Sequence, residues 1–136
     1  MKKFLCICLL LCFVFVPCRA NAKQPKEDVS AFVQNHQYTR EATCVTFGKY
    51  CVVGVRTKGI LLSSDCKNYF EDIISGIKRI APQYTHVYVT NNLQEVIVIK
   101  EVDKKIKEGV DNVQILSYLQ QKYPKTIDKI LLHANI

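Results

Sequence analysis

This 136-residue chain lacks the constellations from which an activity is usually read. No G-x-S-x-G elbow, phosphate-binding glycine loop, H-E-x-x-H or dinucleotide fingerprint occurs in it, so no hydrolase, nucleotide or zinc-peptidase chemistry has a foothold. Histidine is scarce: His36, His86 and His133 stand alone, at no metal-ligand spacing. The carboxylates do not pair either, because Glu71 and Asp72 are adjacent and would point apart on a helix. There is no C-x-x-C, the usual mark of a thiol-redox centre. No apolar run reaches the roughly 20 residues that a membrane-spanning helix needs. No basic stripe or known module points to nucleic acid. Internal repeats and low-complexity stretches are missing too, and five glycines and four prolines are too few for a fibrous or linker composition. No catalytic residue, metal ligand or cofactor site is therefore assigned.

What is present begins with a leader. Lys2 and Lys3 precede an unbroken apolar run, Phe4 to Val16, 13 residues long. A short basic segment followed by a run of that length reads as a secretory signal over residues 1–22. Two processing readings stand side by side. Ala20-Asn21-Ala22 is a small-x-small site, which places cleavage between Ala22 and Lys23. The segment Phe15-Val16-Pro17-Cys18 offers the alternative of a lipid attached at Cys18, where one acyl chain alone would bind a membrane only marginally. With Lys2, Lys3 and Arg19 removed, 19 basic residues become 16 against 12 acidic ones, and the formal charge falls from +7 to +4. That excess permits contact with anionic lipid or wall polymer.

The body is organised around Thr43 to Asn91. A strand from about Ala42 to Phe47, a Gly48-Lys49 turn and a strand from Tyr50 to about Arg56 make a hairpin of type II′ character, with glycine at the positive-φ position. The register opposes Phe47 to Tyr50, Val45 to Val52 and Cys44 to Val53. One sheet face then carries Val45, Phe47, Tyr50 and Val52, and the other Cys44, Cys51, Val53 and Val55. Both faces are apolar, so cover is expected on both. A helix over about Asp65 to Ala81 follows from the stripe Cys66, Tyr69, Phe70, Ile73, Ile74, Ile77, Ile80 and Ala81. Ser63, Ser64 or Asp65 is expected to cap it, and Pro82 to end it. THVYVT, Thr85 to Thr90, reads as the third strand, placed beside the first strand, antiparallel to it and parallel to the second. His86 reads as a sheet residue, and Tyr84 and Tyr88 as core packing.

Around this core, residues 23–40 read as a linker with a short helix, Glu27 to about His36, whose apolar side holds Val29, Phe32 and Val33. A helix from Leu93 to Glu108, capped by Asn91 or Asn92 and closed by Gly109, buries Val96, Ile99, Val102 and Ile106. Lys100, Lys104, Lys105 and Lys107 complement its C-terminal dipole as a solvated face. The next helix, from Asp111 or Asn112 to about Lys122, turns Val113, Leu116, Leu119 and Tyr123 inward and stops at Pro124. The core domain thus spans 41–124. The tail, 125–136, has one or two amphipathic turns through Ile127, Ile130, Leu131 and Ala134, or frays or meets a partner. The fold class is α+β: a small mixed three-stranded sheet in the order helix-strand-strand-helix-strand, packed against helices, with two or three helices at the C-terminal end.

Cysteine usage is uneven. Cys6, Cys8, Cys12 and Cys18 lie in or beside the leader, leaving Cys44, Cys51 and Cys66 in the body. An odd number argues against a complete disulfide framework. Cys44 and Cys51 share a face only diagonally, where Cα atoms lie roughly 7–8 Å apart, beyond comfortable disulfide reach. All three read as small buried apolar residues.

Three stretches carry a family resemblance: CVTFGKYCVVGV, IKRIAPQYTHVYVTNN and IKEGVDNVQILSYLQQKYP. The chain from about Lys26 to Pro124 resembles the YhcN/YlaJ-type sporulation lipoproteins of spore-forming bacteria, with their paired strands, helix, VYVS-like strand and two final helices. The order of the core elements is also similar to the BON module, which binds surfaces or membranes. The resemblance implies an exported protein at the outer face of the cytoplasmic membrane or in the spore envelope, acting in sporulation, germination or outgrowth, with Cys18 as lipid-attachment residue. It is expected to be noncatalytic, with membrane, wall or spore-envelope components as partners, a protein partner as a further candidate, and no nucleic acid. The competing expectations are a secreted thiol-dependent enzyme or redox protein using Cys44, Cys51 or Cys66, and a general extracytoplasmic adaptor.

Overall fold

The computed structural model describes residues 25–59 and 62–134. The leader, Cys18 and the Ala22–Lys23 junction lie outside the described residues. In chain order the elements are α1 (Pro25–Gln34), β1 (Thr39–Phe47), β2 (Tyr50–Thr57), α2 (Ser63–Ile80), β3 (His86–Thr90), α3 (Leu93–Lys107), α4 (Asn112–Lys122) and α5 (Pro124–Ala134). The architecture is α+β, with a mixed three-stranded sheet and helices on both of its faces.

The hairpin forms as its residues dictate. Gly48 sits at φ +55°, a conformation open to glycine without a Cβ clash. Phe47 opposes Tyr50, Val45 opposes Val52 and Cys44 opposes Val53. The first strand runs farther back than its apolar core suggests, to Thr39, through an irregularity between Thr39 and Glu41. Arg40 and Glu41 are exposed there, as suits an edge strand.

The strand order corrects the expected arrangement. It is β1-β2-β3, so β3 pairs with β2, in parallel, rather than with β1. The relative directions are as expected; the neighbour is not. Tyr50-Cys51-Val52-Val53-Gly54-Val55 is a nearly continuous apolar run, and Cys51 through Val55 are all buried. Such a strand belongs in the middle of a sheet, while the polar start of β1 can face water.

Each sheet face carries its own core. On one side α1 and α2 pack over Cys44, Cys51, Val53, Val55 and Val89, with Val29, Val33, Tyr69, Ile73 and Ile77 filling the layer. On the other, α3, α4 and α5 close over Val45 and Val52. The short N-terminal helix and the C-terminal helix therefore both belong to the packed unit, although 23–40 read as a linker with a short helix and 125–136 as a tail, both outside the 41–124 core. Pro25 and Pro124 each occupy the first position of a helix, where a missing N–H costs nothing.

Three helix details depart from expectation. The N-cap of α2 is Leu62, with no side-chain cap hydrogen bond, and Ser63, Ser64 and Asp65 lie inside the first turn. Ile80 ends α2 in solvent at 40% exposure. In α4 the buried residues are Ile115 and Leu119, whereas Val113 is 75% exposed and Leu116 41% exposed. The buried stripe is thus rotated from the expected one, because α4 meets α3 on one side and α5 on the other.

Candidate functional site

A concavity lies in the second core, and α3 is the element that shapes it. Asn92 caps α3, its side-chain oxygen accepting from the backbone N–H groups of Gln94 and Glu95. At the other end Val110 N–H donates to Lys105 O and Gly109 N–H to Ile106 O, with Gly109 at φ +79°. This pairing is a Schellman closure that turns the chain into α4. Between its ends α3 presses on the central strand at Gly54, where a Cβ would meet Ile99 Cδ1 and Val96 Cγ2 at 3.3 Å each. Glycine there lets the helix approach the sheet closely.

A cavity of about 270 Å³ opens beside this contact. Val45, Phe47 and Val52 form its sheet wall, and Val98, Ile99, Val102 and Ile106 of α3 its near side. Ile115, Leu116 and Leu119 of α4 and Ile127, Ile130 and Leu131 of α5 complete it, and Asn112 is the one lining residue with a polar side chain. Its volume is just below the usual range for small-molecule pockets, about 300–1,000 Å³. The lining offers dispersion and desolvation along its length and almost no hydrogen bonding. It suits a chain or ring of carbon and no phosphate, sugar or charged group.

Cations flank the lining on α3. Ile106 contributes to the wall, and its neighbours Lys105 and Lys107 point elsewhere. Lys105 Nζ lies 4.1 Å from the centre of the Tyr118 ring, and Lys107 Nζ lies 2.9 Å from Asp103. Lys104 is exposed. Along the α3–α4 seam Lys122 Nζ is 2.9 Å from Glu101 and 3.1 Å from the Tyr118 hydroxyl. Burial pushes Glu101 up, but Lys122, Tyr123 and Tyr118 together hold it below the usual carboxylate range.

Two further groupings were not anticipated from the sequence. The Glu95 carboxylate is buried at 2% exposure and accepts hydrogen bonds from the hydroxyls of Tyr88, at 3.2 Å to each oxygen, and Thr90. Thr90 in turn accepts the Asn92 N–H at 3.1 Å. The acid sits in the first turn of α3, where the helix dipole favours an anion. It locks β3 to α3. The sequence signal was present, an acid three residues after a capping Asn, but the side chain turns to Thr90 and Tyr88 instead of back to the cap. Burial pushes the Tyr88 hydroxyl up, and His133 stacks on its ring at 5.8 Å.

The second grouping is a thiol pair. Cys44 and Cys51 are free and buried, and their sulfurs stand 3.6 Å apart. The diagonal spacing spoke against a disulfide and the two are indeed unbonded, but their side chains bring the sulfurs into contact. Cys66 lies elsewhere, on α2, with Asn91 Nδ2 at 3.7 Å from its sulfur.

The histidines remain apart. His36 packs edge-on against Tyr69, with Asp72 3.9 Å away. His86 begins β3 and lies 5.0 Å from the Tyr50 ring. Tyr84 is buried in the first core while Tyr88 packs against the second, so the two form no common patch. Among the described residues no group of three or more His, Cys, Asp or Glu could hold a metal ion, and no helix is long and apolar enough to cross a membrane. No protein-family model matches the chain, and no curated protein does.

Proposed function

We propose that this chain is an exported, noncatalytic envelope protein that works by seating one hydrocarbon chain of an anionic membrane lipid in the α3–α4–α5 pocket. The observation that carries this reading is the lining itself: three elements and one sheet face contribute carbon almost exclusively to a single concavity. A pocket with so little hydrogen-bonding capacity selects for apolar area removed from water, worth roughly 25 cal/mol per Å². Lys104, exposed in the last turn of α3 and close in sequence to Ile106, supplies the sign of charge that a phosphate or carboxylate headgroup needs. The leader-like segment and the resemblance to sporulation lipoproteins support a site of action at the outer face of the cytoplasmic membrane or in the spore envelope, during sporulation, germination or outgrowth.

The test is direct. Purified protein is titrated with an environment-sensitive fluorescent fatty acid and, separately, with vesicles of neutral or anionic phospholipid. Saturable binding of the fatty acid, with association to anionic and not to neutral vesicles, is the expected result. Absence of saturable uptake overturns the pocket reading. Displacement of the probe by an apolar peptide and not by lipid would redirect the pocket to a protein partner.

A further inference from the structure

We infer that Cys44 and Cys51 are a redox-convertible dithiol, closed to an intramolecular disulfide by exchange with a low-molecular-weight disulfide that gains access when α1 lifts from the sheet. The pair is isolated from the apolar pocket on the opposite sheet face, so the inference stands independently of the lipid reading.

Three observations converge on it. The sulfurs are already in contact at 3.6 Å without being bonded. A disulfide needs about 2.05 Å, a closure that side-chain rotation and a small approach of the two strands must supply. Because Cys44 opposes Val53 and Cys51 opposes Thr46, the bridge would run diagonally and under strain. Strained bridges have higher potentials and are the readily reduced, convertible kind.

The two thiols are also unequal. Either thiol can donate across this contact, and the contact, with Lys26 and Ser30 of α1, favours the Cys44 thiolate although burial opposes it. The same hydrogen bond, together with burial, pushes Cys51 far up. Cys44 is therefore the attacking sulfur and Cys51 the resolving one.

The third observation concerns the cover. α1 spans ten residues and buries only Val29 and Val33 fully. Val29, Phe32 and Val33 pack it into the first core, and its polar fastenings lie only at its ends: Lys26 to Asp103 at 3.0 Å, and Gln34 to the backbone of Arg40 and Ala42. An element held this way is a candidate for opening well below the global unfolding free energy.

The chemistry balances without any further reactant. The Cys44 thiolate attacks one sulfur of the incoming disulfide and releases the first small thiolate. That thiolate takes the Cys51 proton. The Cys51 sulfur then attacks Cys44 and expels the second thiolate, which is protonated by solvent with the proton Cys44 gave up. Two protein thiols are oxidised to one disulfide, and one small disulfide is reduced to two thiols.

Trypsin makes the outcome legible, since Arg40, Lys49 and Arg56 bracket the two cysteines in separate peptides, EATCVTFGK and YCVVGVR. Native protein is equilibrated in oxidised and reduced glutathione, quenched with iodoacetamide and mapped by mass spectrometry. The expected product is the two peptides joined, at a fraction unchanged by tenfold dilution and returned to free thiols by dithiothreitol. Gln34→Ala, which releases one end of α1 without changing the charge near the thiols, should speed closure several-fold, and Cys44→Ser should abolish the linked product. Thiols that stay free across the whole redox range, a bridge that instead joins Cys66 or a second chain, or stable glutathione adducts without closure would each overturn the assignment.

Discussion

The Thr39 and Tyr69 hydroxyls share a hydrogen bond of 2.6 Å inside the first core, joining the start of β1 to the middle of α2. Thr39 is 1% exposed and Tyr69 likewise, so neither hydroxyl has water to fall back on. Burial pushes the Tyr69 phenol up, against the Thr39 bond that lowers it. Removing one partner should cost about 1–3 kcal/mol, because the other is left buried and unpaired. Tyr69→Phe is therefore expected to lower the urea midpoint clearly. Thr39→Val in the Tyr69→Phe background should lower it far less than Thr39→Val alone. Additive effects in this double-mutant cycle would show that the hydroxyls do not depend on each other.

Gly76 tests how tightly α1 sits on α2. A Cβ at this helical position would overlap the Phe32 ring. Alanine ordinarily gains about 1 kcal/mol over glycine within a helix, while forcing a buried contact apart typically costs about 1–3 kcal/mol. Gly76→Ala is thus expected to destabilise the wild-type protein by about 1 kcal/mol, the overlap outweighing the helical gain. In a Phe32→Ala background the sign should reverse. Chemical denaturation of the four variants checks it; the same sign in both backgrounds would place the cost somewhere other than the Phe32 ring.

The sequence makes the hairpin, the fold class and the double-sided cover legible because each follows from short-range physics. Gly48 sets the turn, the turn sets the register, and the register assigns Cys44 and Val45 to opposite faces. What escapes is decided by partners distant in the chain. β3 chooses β2 over β1 through packing of the crossover helix, and the phase of α4 is chosen by α3 and α5, which bury Ile115 and leave Val113 outside. The pocket is invisible for the same reason: its walls come from residues between Val45 and Leu131 that no motif connects. The sulfur contact is not legible in the sequence, because Cα spacing ignores where the side chains lean. The role of Glu95 depends likewise on β3, which sets Thr90 and Tyr88 against it.

Asp103 should make stability fall in acid. Burial pushes its carboxyl up, but the Lys107 and Lys26 ammonium groups outweigh that and hold it below its ordinary value. A carboxyl depressed in the folded state contributes stability that is fully present above its unfolded value, about 3.9 for aspartate. That contribution is lost as pH falls through the folded value. Glu41, lowered chiefly by its hydrogen bond to Lys100, acts in the same sense. Lys26→Met is expected to destabilise the protein at about pH 7, and its gap from wild type to narrow as pH falls and the Asp103 carboxylate is protonated. Urea midpoints for the two proteins across this range measure the effect. A gap that persists undiminished in acid would mean that Lys26 acts through its packing and not through its charge.

Leu116 separates pocket function from pocket stability. It lines the cavity yet is 41% exposed, which places it at the rim. Substitutions at such positions usually change stability by no more than about 0.5 kcal/mol. Leu116→Glu should therefore leave the melting transition almost unmoved. It also puts a negative charge at the rim where the apolar chain of an anionic lipid would enter. Fatty-acid affinity is expected to fall by about tenfold or more, equivalent to about 1.4 kcal/mol. Leu116→Ala should lose much less, since it removes contact area without adding like charge. Ile115→Trp approaches the same question from within: it fills the cavity from a buried position, and uptake should be lost even where the protein remains folded by circular dichroism. If both the rim charge and the filled interior left probe binding at wild-type strength, the hydrocarbon chain would have to be held elsewhere on the molecule.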